Sequence, residues 1–455
     1  MKRTIKNQNQ VQVLKQVSEA FCDDVNLIVT SDEDLKVIGN AVIDFENASG
    51  AILSRNKKCL VLGLGTWKSK TSWILDYLQP VTEIKVFGIW FMNDYYKLLS
   101  TNWNKRIEKL KSTLFAWTGR VFSNLKQRIE VLNCFALSRI FYVGTMTKSA
   151  SKTINSLVGE FIWKKSGRVL KIARDEVINS ETRGGLGLLD TETMCNSLIV
   201  SQAFRLMKSS DLKSQGHLNF WLSDLLEEFW NGPVSCVANG NIESHHFNML
   251  ASLMTNVKLL ESVDFAAWNR LTNKMIYQNF SALFTRTKIE RDASCDMSSV
   301  WSRLIFLNYN RVVQEVSYLL VHNKLPVQER LFRIQLAKDP YCLACASASF
   351  QDVIHFFTLC DRTRKYWSWA RSLALSLLKL RTVNDEDLIL FKWPKSRRDQ
   401  DICWLIGHYV FIIWDMLYTR RLTAINETEF FGFMRYKYKE ALSNKTVSEI
   451  ADLLL

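Results

Sequence analysis

Two periods organise the hydrophobic positions of this chain. Up to about residue 94 they come in short runs. The β-type stretch Val25-Asn26-Leu27-Ile28-Val29 is followed by runs around Cys59-Leu60-Val61-Leu62 and over residues 85–91, and helical spacing is found at 11–20 and 33–46. From 100 to 165 the period becomes helical throughout. Trp103, Ile107, Leu110, Leu114 and Trp117 form one stripe, Leu125, Ile129, Leu132, Ala136 and Ile140 a second, and Ile154, Leu157, Val158, Phe161 and Ile162 a third. Three amphipathic helices with short connections predict a small bundle, closed by the breaker cluster Arg183-Gly184-Gly185-Leu186-Gly187. Residues 191–290 read as helical with a loop at 232–245, and a Trp-rich helical block begins near 296. The most apolar window, from Ile402 to Trp414, contains His408, is too short to span a bilayer and predicts a buried helix. The expected fold is mostly α with a small α+β part, in four segments: 1–94, 95–190, 191–295 and 296–455.

Composition adds a globular prior and a partner class. Of 455 residues 47% are hydrophobic and 12% aromatic, with only 5 Pro, so long disorder is not expected. The net charge of +14 favours a polyanionic partner, nucleic acid before membrane. The opening Met1-Lys2-Arg3-Thr4-Ile5-Lys6 is basic and polar with no apolar run behind it, and most of the 10 Cys are scattered singly. An intracellular protein of cytoplasm or nucleus, not secreted, is the expectation.

Candidate chemistry begins at Phe21-Cys22-Asp23-Asp24, which runs into the first β-type stretch. Two adjacent carboxylates at a hairpin tip suit divalent-metal binding for phosphoryl transfer, with Mg2+ held by Asp23 and Asp24. The bland alternative is an ordinary Asp-Asp turn. The step resembles the aromatic-x-Asp-Asp motif of reverse transcriptases, and the residues after it resemble, in order, later segments of the enzymes of non-LTR (LINE-type) retrotransposons. Ser49-Gly50-Ala51 with Lys57 is similar to a Ser-Gly-x-x-x-Asn-x-x-Lys segment, with Ser54 in place of Asn. Phe87-Gly88-Ile89 resembles the Leu-Gly-Ile turn of the primer grip, the three basic helices resemble the thumb, and Gly184-Gly185-Leu186-Gly187 matches the segment that closes it. The resemblance implies catalytic roles for Asp23, Asp24 and Lys57, with the lysine beside the incoming deoxynucleotide. It also implies that the third metal-binding Asp, the fingers and an endonuclease lie upstream of the 22 residues preceding Asp23. The expectation is therefore a carboxy-terminal part of such an enzyme, binding nucleic acid but not polymerising alone.

A second constellation is Cys342-x2-Cys345-x9-His355-x4-Cys360. Three thiolates and one imidazole complete a closed tetrahedral zinc site with no position for a reacting water, so the expected role is structural. Four unrelated residues, or a redox-active CxxC, are the competing readings. LINE-type proteins carry a similar Cys-x2-Cys…His-x4-Cys element near the carboxyl terminus, and the lead-in Asn323-Lys324-Leu325-Pro326 with Arg330-Leu331 resembles theirs. That resemblance implies RNA and DNA as partners.

The third feature is a basic surface. Lys105, Arg106, Lys109, Lys111, Arg120, Lys126 and Arg128, continued by Lys148, Lys152, Lys164, Lys165, Arg168, Lys171 and Arg174, could track a phosphate backbone or be solvated helix faces. Trp103 and Trp117 sit on apolar stripes and read as core. His245-His246 reads as a loop, and Gly63-Leu64-Gly65 is too short for a phosphate-binding fingerprint. The runner-up function is a non-catalytic, zinc-containing nucleic-acid-binding protein derived from a retrotransposon.

Overall fold

The computed structural model describes residues 17–21, 24–55, 59–120, 122, 125–145, 150–163, 172–207, 245–255, 271–281, 297–307, 310–346, 349–444 and 447. All its described strands lie between Val17 and Met92, and the remainder is helical, so the chain is mostly α with a small α+β part. Contacts divide it once, at Glu108/Lys109, into two compact units. The division falls inside a helix that begins at Tyr95.

The first unit holds three two-stranded sheets and one long helix. Strands β1 (Val17–Phe21) and β2 (Asp24–Ile28) are antiparallel, with Phe21 opposite Asp24 as the last pair before the connection. Residues 17–20 were expected to be helical and are instead strand. Val17, Ala20 and Phe21 find cross-strand partners in Ile28, Val25 and Asp24, and pairing overrides a weak local helical spacing. Helix α1 (Asp32–Ser49) starts at a capping box, in which the Ser31 hydroxyl accepts from Asp34 N at 3.1 Å and the Asp34 carboxylate accepts from Ser31 N at 3.1 Å. It stops at Gly50, whose φ of 69° a glycine adopts freely. Strands β3 (Leu60–Val61) and β4 (Gln79–Pro80) pair in parallel. Strands β5 (Glu83–Val86) and β6 (Ile89–Met92) form a hairpin whose two loop residues, Phe87 and Gly88, have φ of 47° and 84°. Positive φ at both positions is the signature of a type I′ turn, whose twist matches that of the strands.

Helix α2 (Tyr95–Thr118) is tied to this hairpin by Asn102, which accepts from Trp90 N at 2.8 Å and donates to Trp90 O at 2.8 Å. A single buried amide thus satisfies both backbone groups of an edge-strand residue.

The second unit begins with the expected bundle. Helices α3 (Leu125–Val131), α4 (Ser138–Gly144) and α5 (Ser151–Trp163) follow α2, with a π turn at Leu132–Leu137 between α3 and α4. Leu110, Leu114, Leu125, Ile129, Leu132, Ala136, Ile140, Ile154, Val158, Phe161 and Ile162 are all buried. After the short α6 (Arg174–Val177), the Gly184–Gly187 turn folds back on Asn179 and Ser180 through Gly185 N–H to Ser180 O and Gly187 N–H to Asn179 O, both 2.9 Å. A Cβ on Gly185 would lie 1.9 Å from the Asn179 carbonyl oxygen, which is why glycine stands there. Helices α7 (Thr191–Met207), α8 (His245–Thr255) and α9 (Asn273–Ser281) follow; His245 and His246 open α8 rather than lie in a loop.

The carboxy-terminal part is built from α10 (Ser298–Phe306), α11 (Arg311–Val321), α12 (Gln328–Arg333), α13 (Arg364–Leu378), α14 (Asp385–Ile389), α15 (Asp399–Trp414) and α16 (Glu427–Ser443). Helix α15 is the centre, with α10, α11, α13 and α16 packed around it. Every residue from Asp401 to Val410 is buried. The continuous helix Asp399–Thr419 is long and apolar enough to cross a membrane, yet 78% of its apolar window is buried inside the fold, as a core helix requires.

Candidate metal centre

A CxxC pair needs a reversal of the chain between its cysteines, and a His-x4-Cys pair needs an unusual helix. Both are present. Cys342 and Cys345 lie on the loop of a short ribbon in which Cys342 N donates to Ser349 O at 2.8 Å and Gln351 N donates to Pro340 O at 3.0 Å. His355 and Cys360 lie five residues apart. In an α-helix that spacing puts side chains about 140° apart. Here residues His355–Leu359 form a π turn, closed by Cys360 N donating to His355 O at 2.8 Å, which brings the two to within roughly 50° of one face. Asp352 caps the turn by accepting from His355 N at 2.7 Å.

The four ligand atoms of Cys342, Cys345, His355 and Cys360 lie within 4.8 Å of one another. Cys342 Sγ is 3.8 Å from Cys360 Sγ, Cys345 Sγ is 3.7 Å from Cys360 Sγ, and Cys345 Sγ is 3.5 Å from His355 Nε2. A tetrahedral zinc with Zn–S near 2.3 Å and Zn–N near 2.05 Å sets S···S at about 3.8 Å and S···N at about 3.5 Å. Three of the six edges thus have the lengths of a zinc tetrahedron, and none exceeds 4.8 Å. Gln351 Nε2 donates to Cys342 Sγ at 3.1 Å and Asp361 N to Cys345 Sγ at 3.4 Å, the kind of outer hydrogen bonds that orient thiolates.

The thiols show what a cation would do there. Burial opposes ionising Cys342, but the N–H of Ala344, the His355 ring, the N–H of Cys345 and the Gln351 amide together bring it down to about 6. Cys345 is pushed up to about 12, first by burial and then by the neighbouring sulfurs of Cys360 and Cys342, against the N–H of Asp361. A bound dication would favour the thiolate form of its sulfur ligands.

The π turn leaves carbonyls without helical partners, and buried hydroxyls satisfy them. Thr363 Oγ1 donates to Phe356 O at 3.1 Å, and the buried Tyr409 hydroxyl of α15 donates to Phe357 O. Phe356 and Phe357 are themselves buried, so the ligand turn is keyed into the central helix. The opposite side of the ribbon is bare. Tyr341 and Phe350 are partners that exchange no hydrogen bond, the antiparallel pair type with the closest side chains, and they are 49% and 51% exposed, with Leu343 in the adjoining loop at 83%.

The other expected site residues are distributed as follows. Asp24 opens β2 at the hairpin connection, whereas Asp23, Lys57, Lys164 and Lys165 lie outside the described residues. Phe87, Gly88 and Ile89 form the β5–β6 turn and its closing residue, and Arg106 Nη2 donates to Gly88 O at 3.2 Å. Lys105 Nζ sits 3.3 Å over the Trp90 ring, and Lys109 is exposed. Arg120 lies over Trp117 at 4.3 Å. Lys126 donates to Leu186 O at 3.1 Å and pairs with Glu181, and Arg128 donates to Ile162 O at 2.7 Å, so both are bound to their own fold. Trp117 is half-buried rather than core. Gln351, Asp352 and Tyr409 had no sequence signal of their own; their roles appear only once the π turn is seen. No family model matches this chain, and no curated protein matches it.

Proposed function

We propose that this chain is the carboxy-terminal part of a non-LTR retrotransposon reverse transcriptase, one that binds RNA and DNA through a zinc-stabilised helical body and does not polymerise by itself. The observation that carries the reading is the Cys3His cluster, three of whose edges are tetrahedral in length, on a ribbon and a π turn keyed into a core helix, with the aromatic pair Tyr341 and Phe350 exposed on the ribbon. Supporting it are the Phe21/Asp24 pair at the β1–β2 connection and the type I′ turn at Phe87-Gly88, positions the resemblance gives to metal binding and primer grip. Asp23, Asp24 and Lys57 are the catalytic residues in this reading. Zinc, held by Cys342, Cys345, His355 and Cys360, is structural: a closed site supplies no metal-bound water.

Primer extension with labelled template–primer tests the proposal. The purified chain is expected to bind template–primer without extending it. Adding the upstream palm and fingers in trans is expected to restore extension that Asp23→Ala and Asp24→Ala abolish. Extension by the chain alone, lost in Asp23→Ala, overturns the incompetence; binding that is indifferent to both Asp residues, with no restoration in trans, favours a zinc-containing binding protein without catalysis.

A further inference from the structure

An aromatic ladder runs outward from the core of the second unit. Buried Phe161 meets Phe122 edge-on, with centroids 5.9 Å apart and planes at 81°. Phe122 stacks on Trp117 at 6.3 Å and 29°, and Trp117 stacks on Phe135 at 5.5 Å and 30°. Phe135 ends the ladder and is 50% exposed. The guanidinium of Arg120 lies over Trp117, 4.3 Å from its centroid.

Phe135 is outward for a backbone reason. It belongs to the π turn Leu132–Leu137. An α-helix advances 100° per residue, and would place Phe135 about 60° from the buried Leu132 stripe, beside the core. A π turn advances by roughly 80° and carries it to about 120°, while Ala136 stays on the buried face. The wide turn costs helical regularity and yields a ring at the surface.

The segment that carries the ladder is rich in cations. Between Lys109 and Arg139 the chain carries Lys109, Lys111, Arg120, Lys126, Arg128 and Arg139 against one acid, Glu130. Lys126 and Arg128 are held by Glu181, Leu186 O and Ile162 O, while Lys109 and Arg120 are exposed. An exposed ring at the end of a stack whose next ring carries a guanidinium, on a segment with more cations than acids, has the chemistry of a base-stacking platform.

We infer that Phe135, backed by Trp117 and Arg120, is a binding site for an unpaired nucleobase, and that this surface takes single-stranded RNA or DNA in preference to duplex. The inference rests on the nucleic-acid reading above and adds to it a strand type and a residue. A duplex keeps its bases stacked on each other and offers the ring no free π face; a single strand does.

Fluorescence anisotropy of the full zinc-loaded chain, with a labelled oligothymidylate and a duplex of equal length, decides the matter. Phe135→Ala is expected to weaken single-strand binding by roughly 5- to 150-fold, the range for one stacked base, and to leave duplex affinity and the salt slope unchanged. Phe135→Tyr is expected to retain binding. Phe135→Leu keeps an apolar side chain without a π face and is expected to lose it, which also guards against a folding defect in the alanine variant. Unchanged single-strand affinity in Phe135→Ala, equal losses on both substrates, or full binding by Phe135→Leu overturns the stacking site and leaves the nucleic-acid reading standing. Absence of binding to either substrate by the unmodified chain overturns both.

Discussion

Tyr409→Phe removes one oxygen from the centre of the fold and, on this account, loosens a zinc site that the oxygen does not touch. Tyr409 is fully buried on α15, and its hydroxyl donates to Phe357 O inside the π turn that presents His355 and Cys360. The phenylalanine ring fills the same space, so the packing contribution is unchanged. What is lost is the partner of a buried carbonyl, which costs about 1–3 kcal/mol. The π geometry that aligns the ligands relies on such partners, so zinc affinity should fall as it does for lost outer hydrogen bonds, by about 10-fold or more. Thr363→Val removes the hydroxyl that serves Phe356 O in the same turn, and the two substitutions should be non-additive. The assay is urea unfolding of zinc-loaded and chelated protein, with zinc affinity from chelator competition. A midpoint that moves with an unchanged slope reads out the stability term. Loss of stability with unaltered zinc affinity would show that the hydroxyl serves only the core, and no change in either would show that the bond is not made.

Gly184→Ala should cost more than 3 kcal/mol, seen as a lowered thermal midpoint: the position has φ of 73°, and the new Cβ would sit 2.4 Å from the Trp301 ring. Burial pushes the Glu315 carboxyl up to about 7, against the Leu125 N–H and the Arg128 charge. Its folded value is raised, so its contribution is fully present below the ordinary carboxyl pKa and is lost as pH rises through 7; Glu315→Gln should therefore match the unmodified protein at acid pH and exceed it by about 1–3 kcal/mol at pH 8 in denaturant melts. Burial lowers His408 to about 4 despite its bond to the Trp404 carbonyl. Its folded value is depressed, so the stability it confers is present above the usual histidine pKa and is lost as pH falls toward 4; His408→Gln should flatten that acid limb.

The helical stripes were legible because burial on one face imposes a period: Ile129, Leu132, Ala136 and Ile140 fall where a core-facing stripe demands. The 4-residue steps from Leu132 to Ala136 to Ile140 carried the trace of a π turn, since a regular helix would drift off the stripe, but residue spacing alone does not distinguish that from a broad face. The metal ligands were legible because thiols and imidazole at these spacings have few other uses. The device that aligns His355 with Cys360 was not, because a π turn is chosen by tertiary partners such as Tyr409, more than fifty residues away in sequence. Residues 17–21 mislead for a related reason: strand pairing with 24–28 decides their state, and single-segment periodicity does not see the partner. Lys126 and Arg128 look like free cations in sequence and are anchored to the Gly184–Gly187 region and α5 in the fold.

The joint role of zinc and nucleic acid is tested most directly by the affinity of the full chain for labelled RNA at fixed ionic strength, measured before and after zinc is removed and again after it is restored. The account predicts one zinc per chain, a marked loss of RNA affinity on removal with recovery on restoration, and the same loss in Cys360→Ser. Undiminished RNA binding by metal-free protein, or a folded chain that takes up no zinc, would contradict it.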